Sequence, residues 1–194
     1  MAYQLSPWGY EIDGDIAPIV TLEEFQARTA NAYTQTDKIA AALAGASAVV
    51  RNACGWHVAP SMPCRATMDG GERRTFLPSM FVTDVSSVTV QGEDVTDACE
   101  WSRLGELRIH AYVPDRLRAV VCEYVAGVGA MEDLKALVTS VVQRAVGVTY
   151  GVSSETAGGV SITYGSGAVA GAGGVLLTPA DVAALAPYML RTAR

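Results

Sequence analysis

The sequence predicts an α+β fold, a helical core carrying an inserted antiparallel β region. Three features predict it. Apolar residues recur at helical spacing on both sides of the middle of the chain, the spacing falls to two between Trp56 and Val125, and turn residues cut that stretch into short pieces. Two main antiparallel helices are expected in the core, with short helices before and after them. An extended N-terminal arm and a glycine-rich C-terminal segment complete the expected architecture.

Residues 1–20 contain Pro7, Gly9, Gly14 and Pro18 among the scattered aromatics Tyr3, Trp8 and Tyr10, a pattern expected of an irregular arm rather than a strand or helix. Aromatics exposed on an arm need a surface to dock on. Residues 21–55 are the first part of the helical core. Thr21-Leu22-Glu23-Glu24 fits a capping box, in which the Thr hydroxyl and the Glu24 carboxylate satisfy the free amides of a helix start, and a short helix is expected to about Tyr33. A second helix starts at Thr36-Asp37. Ile39, Leu43, Ala46, Val50 and Cys54 follow at spacings of four, three, four and four, and Gly55 supplies the left-handed backbone that ends it. Its middle, Ala40 to Ala48, is mostly Ala, Gly and Ser, so another backbone can approach closely, either from this fold or from a neighbouring subunit.

Residues 56–127 are the inserted β region, expected as one small sheet of about five or six strands. Val88 and Val90 alternate with Thr89 ahead of a Gln91-Gly92 turn. Trp101–Leu104 and Leu107–Ile109 flank a Gly105-Glu106 turn, and Val120, Cys122 and Tyr124 alternate with Ala119, Val121 and Glu123. Asp69-Gly70-Gly71 and Pro60, Pro63, Pro78 and Pro114 interrupt the strands. Helical spacing returns in residues 128–151, with Leu134, Leu137, Val138, Val141, Ala145 and Val148 on one face from about Glu132 to Thr149. Many of these residues are β-branched, so packing rather than propensity must hold the helix. Residues 152–177 hold a strand-like Val160–Tyr164 and a glycine-alanine run from Gly165 to Gly174. In residues 178–194, Thr178-Pro179-Ala180-Asp181 reads as cap, first-turn proline and N-terminal carboxylate of a last helix.

Composition narrows the function classes. A chain of 194 residues has room for one domain or one core with an insertion. Only 18% of residues are charged, against about 25% in an average soluble domain. Either some surface is destined for burial against other subunits, or the exposed surface is simply neutral. A net charge of −6 argues against a protein that grips nucleic acid by neutralising phosphates, but suits one past which DNA slides. Met1 to Tyr10 lacks the basic start and apolar run of a signal peptide, so synthesis in a reducing cytoplasm with free thiols is expected, and no stretch is apolar for long enough to span a bilayer.

Each candidate for chemistry fails a requirement of its own. Gly165-Ser166-Gly167-Ala168-Val169-Ala170 matches a relaxed dinucleotide fingerprint, but more glycine follows where a helix must open, so a connector is the better account. Cys54 near His57 has the elements of a nucleophile and base, yet Cys54 lies on the apolar stripe of its helix, where packing explains it. His110 reads as a turn residue. Asp13, Asp15, Glu93 and Asp94 lack the spacing of a calcium loop, the four cysteines lack a C-x-x-C pair, and Arg73-Arg74 and Arg116 with Arg118 are too sparse for a DNA-binding stripe. No catalytic residue, cofactor site or metal site is expected. The low-charge segment Ala157–Leu177 is the strongest functional feature, its strand free either to join a neighbour's sheet edge or to pair within this chain.

The order of elements resembles the phage head-tail connector, or head-to-tail adaptor, family. The residues that carry the resemblance are Val20-Thr21-Leu22-Glu23-Glu24-Phe25, Ile39 to Trp56 with Ala46-Ser47-Ala48 and Cys54-Gly55-Trp56, then Gly127 ahead of Glu132-Asp133-Leu134-Lys135, Gly158–Tyr164, and Leu185-Ala186-Pro187-Tyr188. Against compact helical members of the family, this chain looks like one with a larger β insertion and an added arm. The resemblance implies a structural virion protein and not an enzyme: a homo-oligomeric ring, twelvefold in the particle, that binds the portal protein and a tail-proximal stopper while DNA passes through its lumen. Trp8, Tyr10, Val160, Ile162, Tyr164 and Tyr188 are the expected partner or subunit contacts. Two other readings are a stopper or tail-completion protein, which a dominant β-barrel would favour, and a small oligomeric ligand-binding module, which needs a convergent polar pocket.

Overall fold

In the computed structural model the described residues are 2–129, 131–147, 154–157, 160–163 and 175–190. They form a mixed α+β chain with four α-helices and antiparallel sheets, divided into two compact units. Met1–Ala17, Cys54–Ala130 and Ala186–Arg194 make up the first unit, Pro18–Ala53 and Met131–Leu185 the second.

The first unit is β-rich. Its strands are β1 (Tyr3–Leu5), β2 (Glu11–Asp13), β3 (Met62–Met68), β4 (Arg74–Phe76), β5 (Val82–Val90), β6 (Glu93–Asp94), β7 (Cys99–Trp101), β8 (Glu106–Ile109) and β9 (Val120–Ala126). They fall into two sheets, one ordered β1-β2-β3-β9-β5-β6 and a smaller one ordered β4-β8-β7, rather than the single sheet that the sequence predicts. Period-two patterning marks strands but does not say which of them pair. In the large sheet, Cys64, Ala66, Val88, Val120, Cys122 and Tyr124 all face the core, as the alternation along β9 requires. Gln91 (φ 53) and Gly92 (φ 88) turn β5 into β6 with both residues left-handed, the geometry of a type I′ hairpin. The other expected turn shifts: Glu106 opens β8, and Leu104 lies in the connection instead of in a strand.

The arm also departs from expectation. Residues 3–13 form a hairpin, because Tyr3–Leu5 pairs with Glu11–Asp13 and Glu11 and Ile12 pair with Arg65 and Cys64 of β3. Ser6 closes its turn, donating from both its amide and its hydroxyl to the Tyr10 carbonyl. Pro7 and Gly9 therefore mark the turn of a hairpin whose three-residue strands are too short to show alternation.

The second unit holds α1 (Leu22–Arg28), α2 (Thr36–Cys54, whose last residue belongs to the first unit), α3 (Glu132–Gly147), α4 (Pro179–Leu185) and the hairpin of β10 (Ser154–Ala157) with β11 (Val160–Thr163). The capping box at Thr21 is present, its hydroxyl accepting from Glu24 N at 3.2 Å and Glu24 accepting from Thr21 N at 3.0 Å. Helix α1 ends several residues before Tyr33, since Ala30 (φ 49) and Asn31 (φ 57) take left-handed backbones; Tyr33 folds back over Phe25, with ring centroids 5.7 Å apart. Helix α2 has the expected bounds, with Gly55 left-handed beyond it (φ 79). At Ser47, the backbone that approaches its small-residue stripe is this chain's own, because Ile19 N donates to Ser47 Oγ at 3.0 Å. The described part of α3 ends at Gly147, while Val148 and Thr149 lie outside the described residues. Its buried face is Leu134, Val138, Val141 and Val142. Lys38 Nζ donates to the Val146 carbonyl at 3.3 Å, placing the start of α2 beside the end of α3.

Candidate assembly surfaces

Two stretches that carry the resemblance, Cys54-Gly55-Trp56 and Ala186-Pro187-Tyr188, meet inside the first unit. As α2 ends, the Cys54 carbonyl is left without an intrahelical donor and accepts from Leu190 N at 3.0 Å. The left-handed Gly55 turns the chain so that the Trp56 ring is fully buried and its Nε1 donates to the Tyr188 carbonyl at 2.6 Å. Phe81 stacks on Trp56 with ring planes 11° apart and lies 6.0 Å from the Tyr188 ring. An aromatic cluster of this kind combines large buried area with a satisfied indole donor.

Beside it, His57 is fully buried. Its Nε2 lies 3.0 Å from the Ala126 carbonyl, which can only accept, so Nε2 carries the proton and Nδ1 accepts from the Tyr10 hydroxyl at 2.7 Å. The same hydroxyl accepts from His57 N at 3.0 Å, so one phenol fastens the N-terminal hairpin to the core. Gly127 admits this packing. It has φ 123, and a Cβ there would lie 2.4 Å from the Pro60 carbonyl and 2.9 Å from His57 Nε2.

Three of the four thiols are buried, and Cys99 is half-buried. Burial pushes Cys54, Cys64 and Cys122 up to about 12, and burial followed by the charge of Asp94 raises Cys99. A thiol raised this far holds almost no thiolate at neutral pH, which fits the packing role expected of Cys54. His110 is exposed, 3.6 Å from Glu100. Among the described residues no group of His, Cys, Asp and Glu is arranged to hold a metal, and no helix is long and apolar enough to cross a membrane.

The residues expected at contacts divide three ways. Tyr10 and Tyr188 are buried, with Tyr10 bonded to His57 and Tyr188 packed against Phe81. Trp8 is half-buried, its ring 6.4 Å from that of Tyr10. Val160 and Ile162 lie in β11, which pairs with β10 of the same chain, the second of the two alternatives left open by the sequence; Tyr164 and the run Gly165–Gly174 lie outside the described residues. Sequence reasoning missed the exposed Phe76, Leu104, Tyr112 and Leu117 of the first unit. The available signal was the large apolar residues at or beside predicted turns.

Solved structures share this fold. A chain of the virion of a native gene transfer agent particle superposes with a TM-score of 0.54 at 15% identity, covering 92% of this chain and 95% of that one. A chain from the neck of an empty gene transfer agent particle, computed with C6 symmetry, gives 0.54 at 13% identity, covering 76% of this chain and 88% of the other. The class this defines is a structural α+β fold found in subunits of phage-like particles. No curated protein sequence matches the chain. The model of the head completion protein family matches residues 18–169, and the chain belongs to that family, a family of structural neck proteins and not a class of enzymes.

Proposed function

We propose that the chain is the adaptor subunit of the neck in a tailed-phage or phage-like particle, one copy of a ring that joins the portal to the tail side and encloses part of the DNA channel. The observation that carries this reading is the head completion family match over residues 18–169, which runs from the capped helix α1 through β3–β9 and α3 to beyond β11. Likeness in fold to a chain of a gene transfer agent neck supports it. The sixfold symmetry of that neck is one that a ring of twelve also satisfies. In this reading α2 and α3 form the helical core of the subunit, and Trp8, Val160, Ile162 and Tyr164 contact neighbours or partners. The net charge of −6 suits a lumen to which DNA does not adhere. The particle assembles in the host cytoplasm, and the adaptor ends in the virion neck.

A stopper is the second reading, since membership of the head completion protein family fits it as well. Four helices in one of the two units weigh against it, since stoppers tend to be dominated by a β-barrel. Electron microscopy of the full chain mixed with its portal separates the two. A ring on the tail-facing surface of the portal is the expected result. A chain that leaves the portal bare and binds only a preassembled adaptor is a stopper, and one that joins neither overturns both readings.

A further inference from the structure

The small sheet of the first unit has an apolar projection at one end and an apolar cleft at the other. The projection is the loop from Ala111 to Arg118 between β8 and β9, where Tyr112 is 78% and Leu117 81% exposed. This loop is braced rather than loose. Gly70 N donates to the Arg116 carbonyl at 2.8 Å, Arg118 N donates to Asp69 Oδ1 at 2.8 Å, and Arg116 N donates to the Pro114 carbonyl at 2.9 Å. Gly70 sits so close beneath it that a Cβ there would lie 2.1 Å from the Pro114 carbonyl. A large apolar side chain held out into water on a rigid support loses little conformational freedom when it finds a pocket.

The cleft, about 320 Å³, lies between Phe76, Leu77, Met80 and Leu104, with Arg74 and Glu106 at its edge. Phe76 is 44% and Leu104 54% exposed. Phe76 pairs with Glu106 at the start of β8, whereas the loop leaves the far end of β8, where Ile109 N donates to the Arg73 carbonyl. About 10 Å of strand at roughly 3.3 Å per residue therefore separates the projection from the cleft. Within one copy the two lie at opposite ends of the sheet.

We propose that they meet between copies, Leu117 with Tyr112 of one subunit seating in the Phe76–Met80–Leu104 cleft of the next. The charges beside them are complementary. Asp115 precedes Leu117 and has no ion pair among the described residues, while Arg103, adjoining Leu104, lies over the Phe81 ring and has none either. Two different surfaces joined head to tail form a heterologous contact, and a heterologous contact closes into a ring when its rotation allows. The inference rests on the ring reading above and names the contact by which neighbours in that ring recognise one another.

The test uses the full chain at high concentration with p-benzoylphenylalanine at position 117. Light is expected to crosslink it to residues 76–80 or 102–106 of a second copy; crosslinks elsewhere, or none between copies, overturn the proposal. In sedimentation, Leu117→Arg and Leu104→Arg are each expected to weaken self-association about tenfold or more, with far-UV circular dichroism unchanged. Mixing the two variants should restore one intact contact and produce dimers but no larger species. Failure of the mixture to dimerise counts against the contact even if each variant is monomeric. Finding the chain by immunogold at the neck with a crosslink elsewhere removes this contact alone; a crosslink as expected on a chain absent from the neck removes the adaptor reading alone.

Discussion

The two units use different kinds of core. The β-rich unit buries large rings and polar groups that satisfy one another, with Trp56 on the Tyr188 carbonyl, Tyr10 on His57 and Tyr124 on Ser79 at 2.9 Å. The helical unit, apart from Phe25, is filled by Ile39, Leu43, Leu134, Leu185 and several Val side chains with the small Ala42, Ala46 and Ser47, and ion pairs fasten helix ends. Lys135 pairs with Glu24, Arg28 with Glu132, and Arg144 with Asp181. The first core is thus expected to be sensitive to loss of bulk and of hydrogen-bond partners. The second, where backbones approach closely over small residues, is expected to be sensitive to added bulk.

That contrast is breakable by mutation. Trp56→Ala removes the largest fully buried side chain and leaves the Tyr188 carbonyl without its indole donor, so a loss of about 3–5 kcal/mol is expected in denaturant unfolding. Tyr10→Phe keeps the ring and removes only the hydroxyl shared by His57 N and Nδ1; about 1–3 kcal/mol is expected, with hydrogen exchange accelerating first in residues 3–13. Ala46→Leu forces three more carbons into the buried stripe of α2 and is expected to cost roughly 1–3 kcal/mol, where an ordinary surface Ala→Leu on a helix is near neutral. If Ala46→Leu proves harmless while Trp56→Ala is severe, the helical unit has slack and the contrast fails on that side.

The smallest effect sharpens the role of the ion pairs. Chiefly its bond with Lys135, then that with Thr21 N, hold the Glu24 carboxyl below its ordinary value. A carboxylate depressed on folding stabilises the protein above its unfolded value of about 4.3, and that contribution disappears as pH falls through the lower folded value. Lys135→Met is expected to cost under about 1 kcal/mol near neutrality, the pair being partly exposed. The difference from the parent chain should shrink in unfolding curves as pH is lowered below about 4.3, and vanish once the carboxyl is protonated in the folded chain too. A difference that persists in acid would mean that Lys135 acts through packing of its stem.

How much of this was legible in the residues depended on sequence distance. Helix α2 could be bounded because its stripe and Gly55 are local signals, and both capping motifs could be placed because reciprocal bonds span three residues, as when Asp181 N donates to the Thr178 hydroxyl at 3.2 Å and Thr178 N to Asp181 Oδ2 at 2.7 Å. The hairpin at the N-terminus was hidden, since three-residue strands carry no readable period. Tyr10 with His57 and Trp56 with Tyr188 were beyond reach, the partners lying 47 and 132 residues apart. The cleft of the small sheet was missed for a related reason. Phe76 and Leu104 become neighbours only through the pairing of β4 with β8, which the alternation in either segment does not specify.

The first unit draws on Met1–Ala17, Cys54–Ala130 and Ala186–Arg194, so its parts leave the ribosome at very different times. The N-terminal hairpin and the large sheet emerge early, yet the indole of Trp56 waits for Tyr188, made 132 residues later, and the carbonyl of Cys54 for Leu190. Domains generally fold as units during synthesis. This one can close only once residues 186–190 have been made, so a nascent chain cut short upstream of residue 186 carries an incomplete aromatic cluster. The fold thereby withholds its aromatic core until the segment around Tyr188 has been made.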